Sequence, residues 1–129
     1  MPVTHDLRIL TGDTWRSPRW AVVIGANPVD LTDGWAVKAQ IRAWPQSGTA
    51  IHSWGPAGVD LDTADVQVGG TTLTTSTVRL RLTAAQTAAL GAVAGVWDLE
   101  ISHPTFDNGE LYRKTLVTGR VSSTEDVTR

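Results

Sequence analysis

Residues 35–43 alternate between apolar and polar side chains with a period of two. The apolar side is formed by Trp35, Val37, Ala39, Ile41 and Ala43, and the polar side by Lys38, Gln40 and Arg42. A helix would scatter these apolar side chains around its axis, so the pattern predicts a β-strand with one face on a core. Trp44 then breaks the phase, because it falls on the polar side.

The same period recurs in "WAVVIG" (20–25), "VRLRL" (78–82) and "VWDLEI" (96–101). Glycine, proline, asparagine and aspartate separate these runs at short intervals, as expected of turns. The turn "DNG" at 107–109 contains Asn-Gly, which accepts the positive φ of a tight hairpin. The sequence therefore predicts that residues 96–103 pair with residues 110–118. Gly119 is expected to kink the chain before a last, edge-like strand in "RVSSTEDVT".

One segment, "LTAAQTAALG", has the pattern of a helix. Thr83 is expected to be its N-cap, and Gln86 three places on completes a capping box. The alanines and Leu90 favour helix, and Gly91 suits a left-handed residue at the end. The sequence predicts one short α-helix near residues 84–90 that connects two strands.

Many short strands with one helix predict an all-β fold, a two-sheet antiparallel β-sandwich in which residues 1–129 form a single domain. The face of Trp35 is expected to pack against the second sheet, the one that carries Trp97. Trp20, Trp35 and Trp97 keep phase with their apolar neighbours and are predicted to lie in the core.

The composition argues against several classes of protein, among them nucleic-acid-binding, disulfide-bonded and membrane-spanning proteins. The chain has a net charge of −2 and no run of lysines or arginines, which disfavours nucleic-acid binding. It has no cysteine, which excludes disulfides and thiolate chemistry and fits folding in a reducing cytoplasm. We expect neither a signal peptide nor a membrane span, because the N-terminus has no basic region followed by an apolar run and no apolar segment is long enough.

The sequence carries no pattern typical of catalysis. It has no nucleophile elbow and no glycine-rich phosphate loop, and His5, His52 and His103 lack ligand-like spacing. Asp98 and Glu100 are expected to be solvated on the outer face of a strand, where they form no glycosidase pair. We therefore expect neither an enzyme nor a cofactor.

The acidic stretch "DLDTAD" is the only candidate for a metal site. Asp60, Asp62 and Asp65 supply the hard oxygen ligands that calcium prefers, but their spacing departs from the EF-hand loop. Solvated loop carboxylates are the favoured interpretation, and calcium binding stays open.

Three tryptophans fall outside the core pattern. Tryptophan and arginine are the residue types that most often anchor protein interfaces. The predicted contact residues are Trp15, Arg16, Arg19, Trp44 and Trp54. Two alternatives stay open, namely stacking of these indoles on sugars, including host polysaccharide, and a structural role in which they close the ends of a sandwich.

Short signals in a fixed order run along almost the whole chain. They are Gly12-Asp13 followed by Trp15, Asp30-Leu31-Thr32, Gln40-Ile41-Arg42, Leu82-Thr83, Thr87-Ala88-Ala89-Leu90, "WDLEI" from Trp97, Gly119-Arg120-Val121 and Asp126-Val127-Thr128-Arg129. In this order they resemble the small β-sandwich proteins of tail and structural modules in tailed bacteriophages and prophages. They are also similar to the N-terminal domain of siphophage upper baseplate proteins.

This resemblance implies an immunoglobulin-like sandwich that is made in the cytoplasm of a bacterial host and works in the virion without catalysis. Its partners would be other virion proteins in a symmetric assembly. The upper baseplate proteins continue into a helical or receptor-binding part, whereas this sequence ends at Arg129. The expected role is therefore a small tail or baseplate adaptor. The alternatives are a capsid decoration protein and a carbohydrate-binding module for adsorption to the host surface.

Overall fold

A computed structural model describes residues 3–25, 27–45, 47–55 and 57–125, with only the backbone of residue 125. Most of these residues lie in strands. The strands are β1 (Val3–Thr4), β2 (Leu7–Thr11), β3 (Trp15–Arg16), β4 (Trp20–Ala21), β5 (Val23–Ile24), β6 (Asn27–Pro28), β7 (Ala36–Arg42), β8 (His52–Trp54), β9 (Val59–Val68), β10 (Thr71–Leu82), β11 (Val93–Asp107) and β12 (Glu110–Glu125). One helix, α1 (Ala84–Leu90), connects β10 to β11.

The strands form several sheets around one core, which agrees with the predicted all-β sandwich. In the larger sheet, β12 lies next to β11, followed by β7 and β8, while β1 and β2 pair with the other side of β12. In the smaller sheet, β10 lies between β9 on one side and β3 with β4 on the other. The core contains buried side chains of both sheets, among them Ile9, Ile41, Trp54, Val78, Leu80, Leu82, Trp97, Leu99 and Val117.

The Asn-Gly hairpin is confirmed. Residues 93–107 and 110–125 pair around a turn in which Asn108 has a φ of 51° and Gly109 a φ of 86°. The helix is also confirmed, with both hydrogen bonds of the Thr83–Gln86 capping box present. Gly91 has the expected positive φ of 66°, but its ψ of −161° lies outside the left-handed helical region.

The prediction for Gly119 is wrong. No separate strand begins after it, because β12 runs without a break to residue 125. Glycine is needed at this position because the backbone of His5 lies very close to it. A Cβ at residue 119 would lie 2.0 Å from the carbonyl oxygen of His5. The segment after it is not an edge strand, since residues 121–125 pair with β2 while residues 119–123 pair with β11. Residues 126–129 of the predicted last strand lie outside the described residues.

The larger sheet is mixed, which corrects the antiparallel prediction. Both β1 and β2 run parallel to β12, whereas the other pairs of this sheet are antiparallel. A two-residue turn can join only antiparallel strands. Local turn signals therefore do not predict the parallel pairing between distant parts of the chain.

Trp97 is buried, as predicted, but it lies in the same sheet as the Trp35 segment. It pairs directly with Ile41, so β11 is the neighbour of β7 and does not face it. The side chains that share the core with β7 from the other sheet belong to β10. Trp20 and Trp35 are half-buried at the edge of this core.

Candidate interaction site

Trp44 is the most exposed of the predicted contact tryptophans. Its side chain is 60% exposed in the connection between β7 and β8. The backbone of this connection is held in a turn, because the amide of Ser47 donates to the carbonyl oxygen of Trp44 at 3.0 Å. The guanidinium of Arg42 also donates to the carbonyl oxygen of Ser47 and to the side chain of Gln40. Hydrogen bonds therefore fix the conformation of the loop that carries this exposed indole.

A groove of about 320 Å³ lies on the outer face of the larger sheet, close to the connection that carries Trp44. It begins at Pro45, the residue after this tryptophan, and crosses β7, β11 and β12. Its polar lining residues are Gln40, Arg42, Asp98 and Thr118. The rest of the lining is apolar and includes Val96 and Trp97, so the groove combines apolar contact area with polar groups, as docking surfaces do.

Trp54 has to be removed from the predicted contact residues. Its side chain is only 1% exposed, so it belongs to the core and offers no surface to a partner. Its Nε1 donates to the carbonyl oxygen of Arg81 at 3.0 Å, which connects β8 to β10. The ring of His52 packs edge-on against it with 4.6 Å between centroids, and burial lowers the pKa of this histidine. Trp54 falls outside the alternating runs of the sequence because it belongs to β8, a separate strand of three residues.

Trp15 and Arg16 form β3 of the smaller sheet, and Arg19 lies in the connection from β3 to β4. Trp15 is half-buried, with its ring 6.1 Å from that of Trp54. Arg16 is exposed opposite Arg81, and Arg19 forms an ion pair with Asp62. The predicted contact residues Trp15, Arg16 and Arg19 are therefore on a different sheet from the connection that carries Trp44. Whether a partner contacts either of them stays a prediction.

Four arginines gather on the outer face of the smaller sheet, although the sequence contains no basic run. They are Arg16, Arg19, Arg79 and Arg81. Asp60 lies between two of them, accepting from Arg79 at 3.1 Å and from Arg81 at 2.9 Å. These hydrogen bonds, with the attraction of the two charges, lower the pKa of Asp60. The alternation in "VRLRL" predicts two outward arginines, but the approach of Arg16 and Arg19 depends on long-range pairing.

The acidic stretch is not a loop, which corrects the favoured interpretation. Asp60, Asp62 and Asp65 all lie in β9, with the first two bound to arginines and Asp65 accepting from the hydroxyl of Thr74 at 3.4 Å. Within the described ranges, no group of three or more acidic or histidine side chains could hold a metal ion.

An aromatic cluster that sequence reasoning missed covers the turn end of the β11–β12 hairpin. The ring of Trp35 lies 5.1 Å from His103, 4.9 Å from Phe106 and 5.8 Å from Tyr112. Phe106 is 48% exposed and the neighbouring Leu111 is 57% exposed. The signal that could have found the cluster is the hairpin itself, since pairing across "DNG" brings His103 opposite Tyr112.

Each histidine packs against a different tryptophan. The ring of His5 lies 5.8 Å from Trp20, His52 contacts Trp54, and His103 contacts Trp35. Three histidines that serve separate aromatic contacts do not form one constellation for acid–base chemistry.

No protein-family model matches the chain, and no curated protein matches it significantly. Among the helices of the described residues, none is both long enough and apolar enough to span a membrane.

Proposed function

We propose that this protein is a non-catalytic structural component of a tailed-bacteriophage virion, with an immunoglobulin-like sandwich that docks on neighbouring subunits of the tail or baseplate. The observation that carries the docking role is Trp44, whose indole is 60% exposed on a loop braced by Arg42. Burial of an exposed tryptophan at an interface stabilises a complex by a few kcal/mol. The virion assignment comes from the order of short sequence signals along the chain.

The rest of the molecule supports such a role by its stiffness. The larger sheet is continuous across β12, β11 and β7, and the core contains large side chains from both sheets. A rigid body loses little conformational entropy when it binds. In a symmetric particle, several copies of the same weak contact together give strong binding. Once the first contact has formed, each further contact forms within one complex and gains from a high effective concentration.

The virion assignment is tested by mass spectrometry of purified particles from a host that carries the gene. The chain should be present in a fixed number of copies per particle. Its absence from particles that are otherwise complete would refute this proposal.

The docking role of Trp44 is tested by incorporation of variants into particles. Trp44→Ala should fold normally and be lost from the particles. Leu111→Ala is the matched control, because Leu111 is equally exposed, at 57%, but lies at the hairpin end. Equal incorporation of both variants would show that Trp44 is not the anchor.

A second candidate is binding of host polysaccharide, which is favoured by the exposed indole of Trp44 and by the groove that begins at the next residue, Pro45. Sugars stack on exposed indoles and hydrogen-bond to amide, carboxylate and guanidinium groups, and Gln40, Asp98 and Arg42 supply these groups. Titration with host polysaccharide should change the tryptophan fluorescence of the wild type, while Trp44→Ala should respond much less. An unchanged wild-type spectrum at saturating sugar would refute this candidate.

A further inference from the structure

The turn end of the β9–β10 hairpin extends beyond the body of the sandwich. Toward the body, the backbone of Ser76 in β10 still bonds to Val22 and Val29. Nearer the turn, residues 64–68 and 71–75 pair with each other, and no other strand in the described part of the chain pairs with them. We call these two segments the arm.

The two faces of the arm have the opposite polarity to those of the body. In the body, Val78 and Leu80 of β10 lie in the core, and Arg79 and Arg81 lie on the outer face. Faces alternate along a strand and directly opposed residues share a face, so both faces can be followed into the arm. The side chains that continue the core face are Asp65, Gln67, Thr72 and Thr74. Those that continue the outer face are Ala64, Val66, Val68, Thr71, Leu73 and Thr75. The outer face of the arm is therefore largely apolar and carries no charge.

This apolar face is open to solvent. Ala64 is exposed, Val68 is 42% exposed, and Val66 and Leu73 are half-buried. A hairpin of two strands is marginally stable at best in water, whereas a sheet of three or more strands with a hydrophobic face can be stable. The arm therefore gains stability when further strands extend it.

The open side of β9 is where such strands can be added. The amide of Arg81 donates to the carbonyl oxygen of Gly58, so these two residues form a hydrogen-bonded pair. Such pairs alternate along an antiparallel ladder, so the backbone groups of Thr63, Asp65 and Gln67 point away from β10. Natural edge strands are often protected by proline, lysine or a bulge, and β9 has none of these.

Residues 64–68 match themselves when the strand is paired with its own copy in the opposite direction. With Val66 opposite Val66, each Ala64 lies opposite Val68 of the second copy. On the other face, each Asp65 lies opposite Gln67 of the second copy, so a carboxylate meets an amide and no two carboxylates meet. Asp65 and Gln67 are also residues whose backbone groups face the open edge. Apolar side chains, polar side chains and backbone groups therefore all find matching partners in one register.

The charged base of the hairpin stays outside this contact. Asp60 and Asp62 precede the paired segment and are bound by arginines of their own molecule. The outer face of the arm carries no charge that would select a partner of either sign. A two-fold axis requires a surface that is complementary to itself, and the strand of the arm provides one.

We propose that two copies of this chain pair antiparallel through the open edges of their arms, with Val66 of each copy at the two-fold axis. The four strands of the two arms form one sheet with a continuous apolar face. The contact is small, so the dimer of the isolated chain is weak. This inference does not depend on Trp44 or on the virion assignment, because it concerns another part of the surface and is tested on the purified chain alone.

The dimer is tested by sedimentation of the wild-type chain at concentrations up to about 1 mM, where weak association is detected. A reversible monomer–dimer equilibrium is expected. Hydrogen exchange of the Asp65 and Gln67 amides should slow only at concentrations that give dimer, because their bonding partners belong to the second copy. The amide of Val66 is the control, since it faces β10 and should change less.

Charge variants at residue 67 test the register. Gln67→Glu brings a carboxylate opposite Asp65 of the second copy and should weaken the dimer about three- to tenfold, since the pair occurs twice. Gln67→Lys is the matched control, because it brings an ammonium group opposite the same carboxylate and should not weaken the dimer. Asp65→Lys combined with Gln67→Glu should restore the affinity, because opposite charges then meet. Circular dichroism checks that each variant is folded.

Three results would overturn the proposal. The first is a wild-type chain that stays monomeric over the whole range of concentration. The second is a dimer in which the amides of Asp65 and Gln67 exchange as fast as in the monomer. The third is equal affinity of the Gln67→Glu and Gln67→Lys variants, which would place the contact on another surface.

Discussion

The indole Nε1 of Trp54 donates a 3.0 Å hydrogen bond to the carbonyl oxygen of Arg81, and this bond joins β8 of one sheet to β10 of the other. The same side chain is 1% exposed and fills the space between the sheets. A residue that the sequence pattern places at a partner surface is therefore a central part of the core.

Replacement of this tryptophan should be strongly destabilising. Trp54→Ala is expected to lower the free energy of unfolding by about 3–5 kcal/mol, because it removes a large buried side chain and leaves a cavity. Trp54→Phe should cost less, since it keeps apolar contact and loses mainly the hydrogen bond to Arg81. Urea unfolding measures both values. Trp44→Ala is the control and should stay within about 0.5 kcal/mol of the wild type, as expected of an exposed site.

Gly119 should tolerate no side chain. In Gly119→Ala, the new Cβ would lie 2.0 Å from the carbonyl oxygen of His5 and 3.0 Å from Nε1 of Trp97, which itself donates to that oxygen. We expect a loss of about 2–4 kcal/mol, because the backbone has to shift and a partly buried hydrogen bond is disturbed. Thermal unfolding with calorimetric detection measures this loss.

Gly48→Ala is the matched control for this change. A Cβ at Gly48 meets no atom within 4 Å, so the substitution should leave stability unchanged or raise it slightly. Equal unfolding temperatures for the two alanine variants would contradict the close approach of β12 to the chain near His5.

Stability should fall in mild acid because of His52. Burial against Trp54 lowers its pKa, so the unfolded chain binds a proton at a higher pH than the folded chain does. The stabilisation of the folded state by neutral His52 is therefore complete above the ordinary histidine pKa of about 6.5. It is lost as the pH falls toward the lowered pKa of His52 in the folded state. Urea unfolding at a series of pH values from neutral to mildly acidic should show a decline that is smaller in His52→Gln. Parallel curves for the two proteins would argue against a buried imidazole.

A second acid dependence belongs to Asp60. Its folded pKa lies below the ordinary value because of Arg81 and Arg79, so its stabilisation is present above about pH 4 and disappears as the pH falls through the folded pKa. Asp60→Asn should therefore be less stable than the wild type at neutral pH and should approach it in strong acid. Asp65→Asn is the control, because Asp65 accepts only a long bond from Thr74. A constant difference between Asp60→Asn and the wild type at every pH would refute this account.

Local chemistry explains which parts of the fold could be predicted. The Asn108-Gly109 turn and the Thr83–Gln86 capping box depend on residues that are neighbours in the sequence, and both are present in the structure. The alternation from Val78 to Leu82 likewise predicts the buried face of β10, because a strand alternates its faces whatever its partner is.

The two-residue alternation of a strand does not determine which other strand it pairs with. The strand of Trp97 has an apolar face that would suit either a facing sheet or a neighbouring strand, and the structure places it beside Ile41. The role of Gly119 was missed for the same reason, since its neighbour His5 is far away in the sequence. The surface of four arginines likewise requires that β3 pairs with β10.

The parallel pairing of β2 with β12 has a consequence for how the chain is made. Residues 7–11 find their strand partners only at residues 121–125, so more than 100 residues have to follow them from the ribosome before this part of the sheet can close. Until then, β2 lacks the strand with which it pairs in the sheet. Proteins dominated by such distant pairings fold slowly, in about milliseconds to seconds, and strands that wait for a partner are exposed to aggregation.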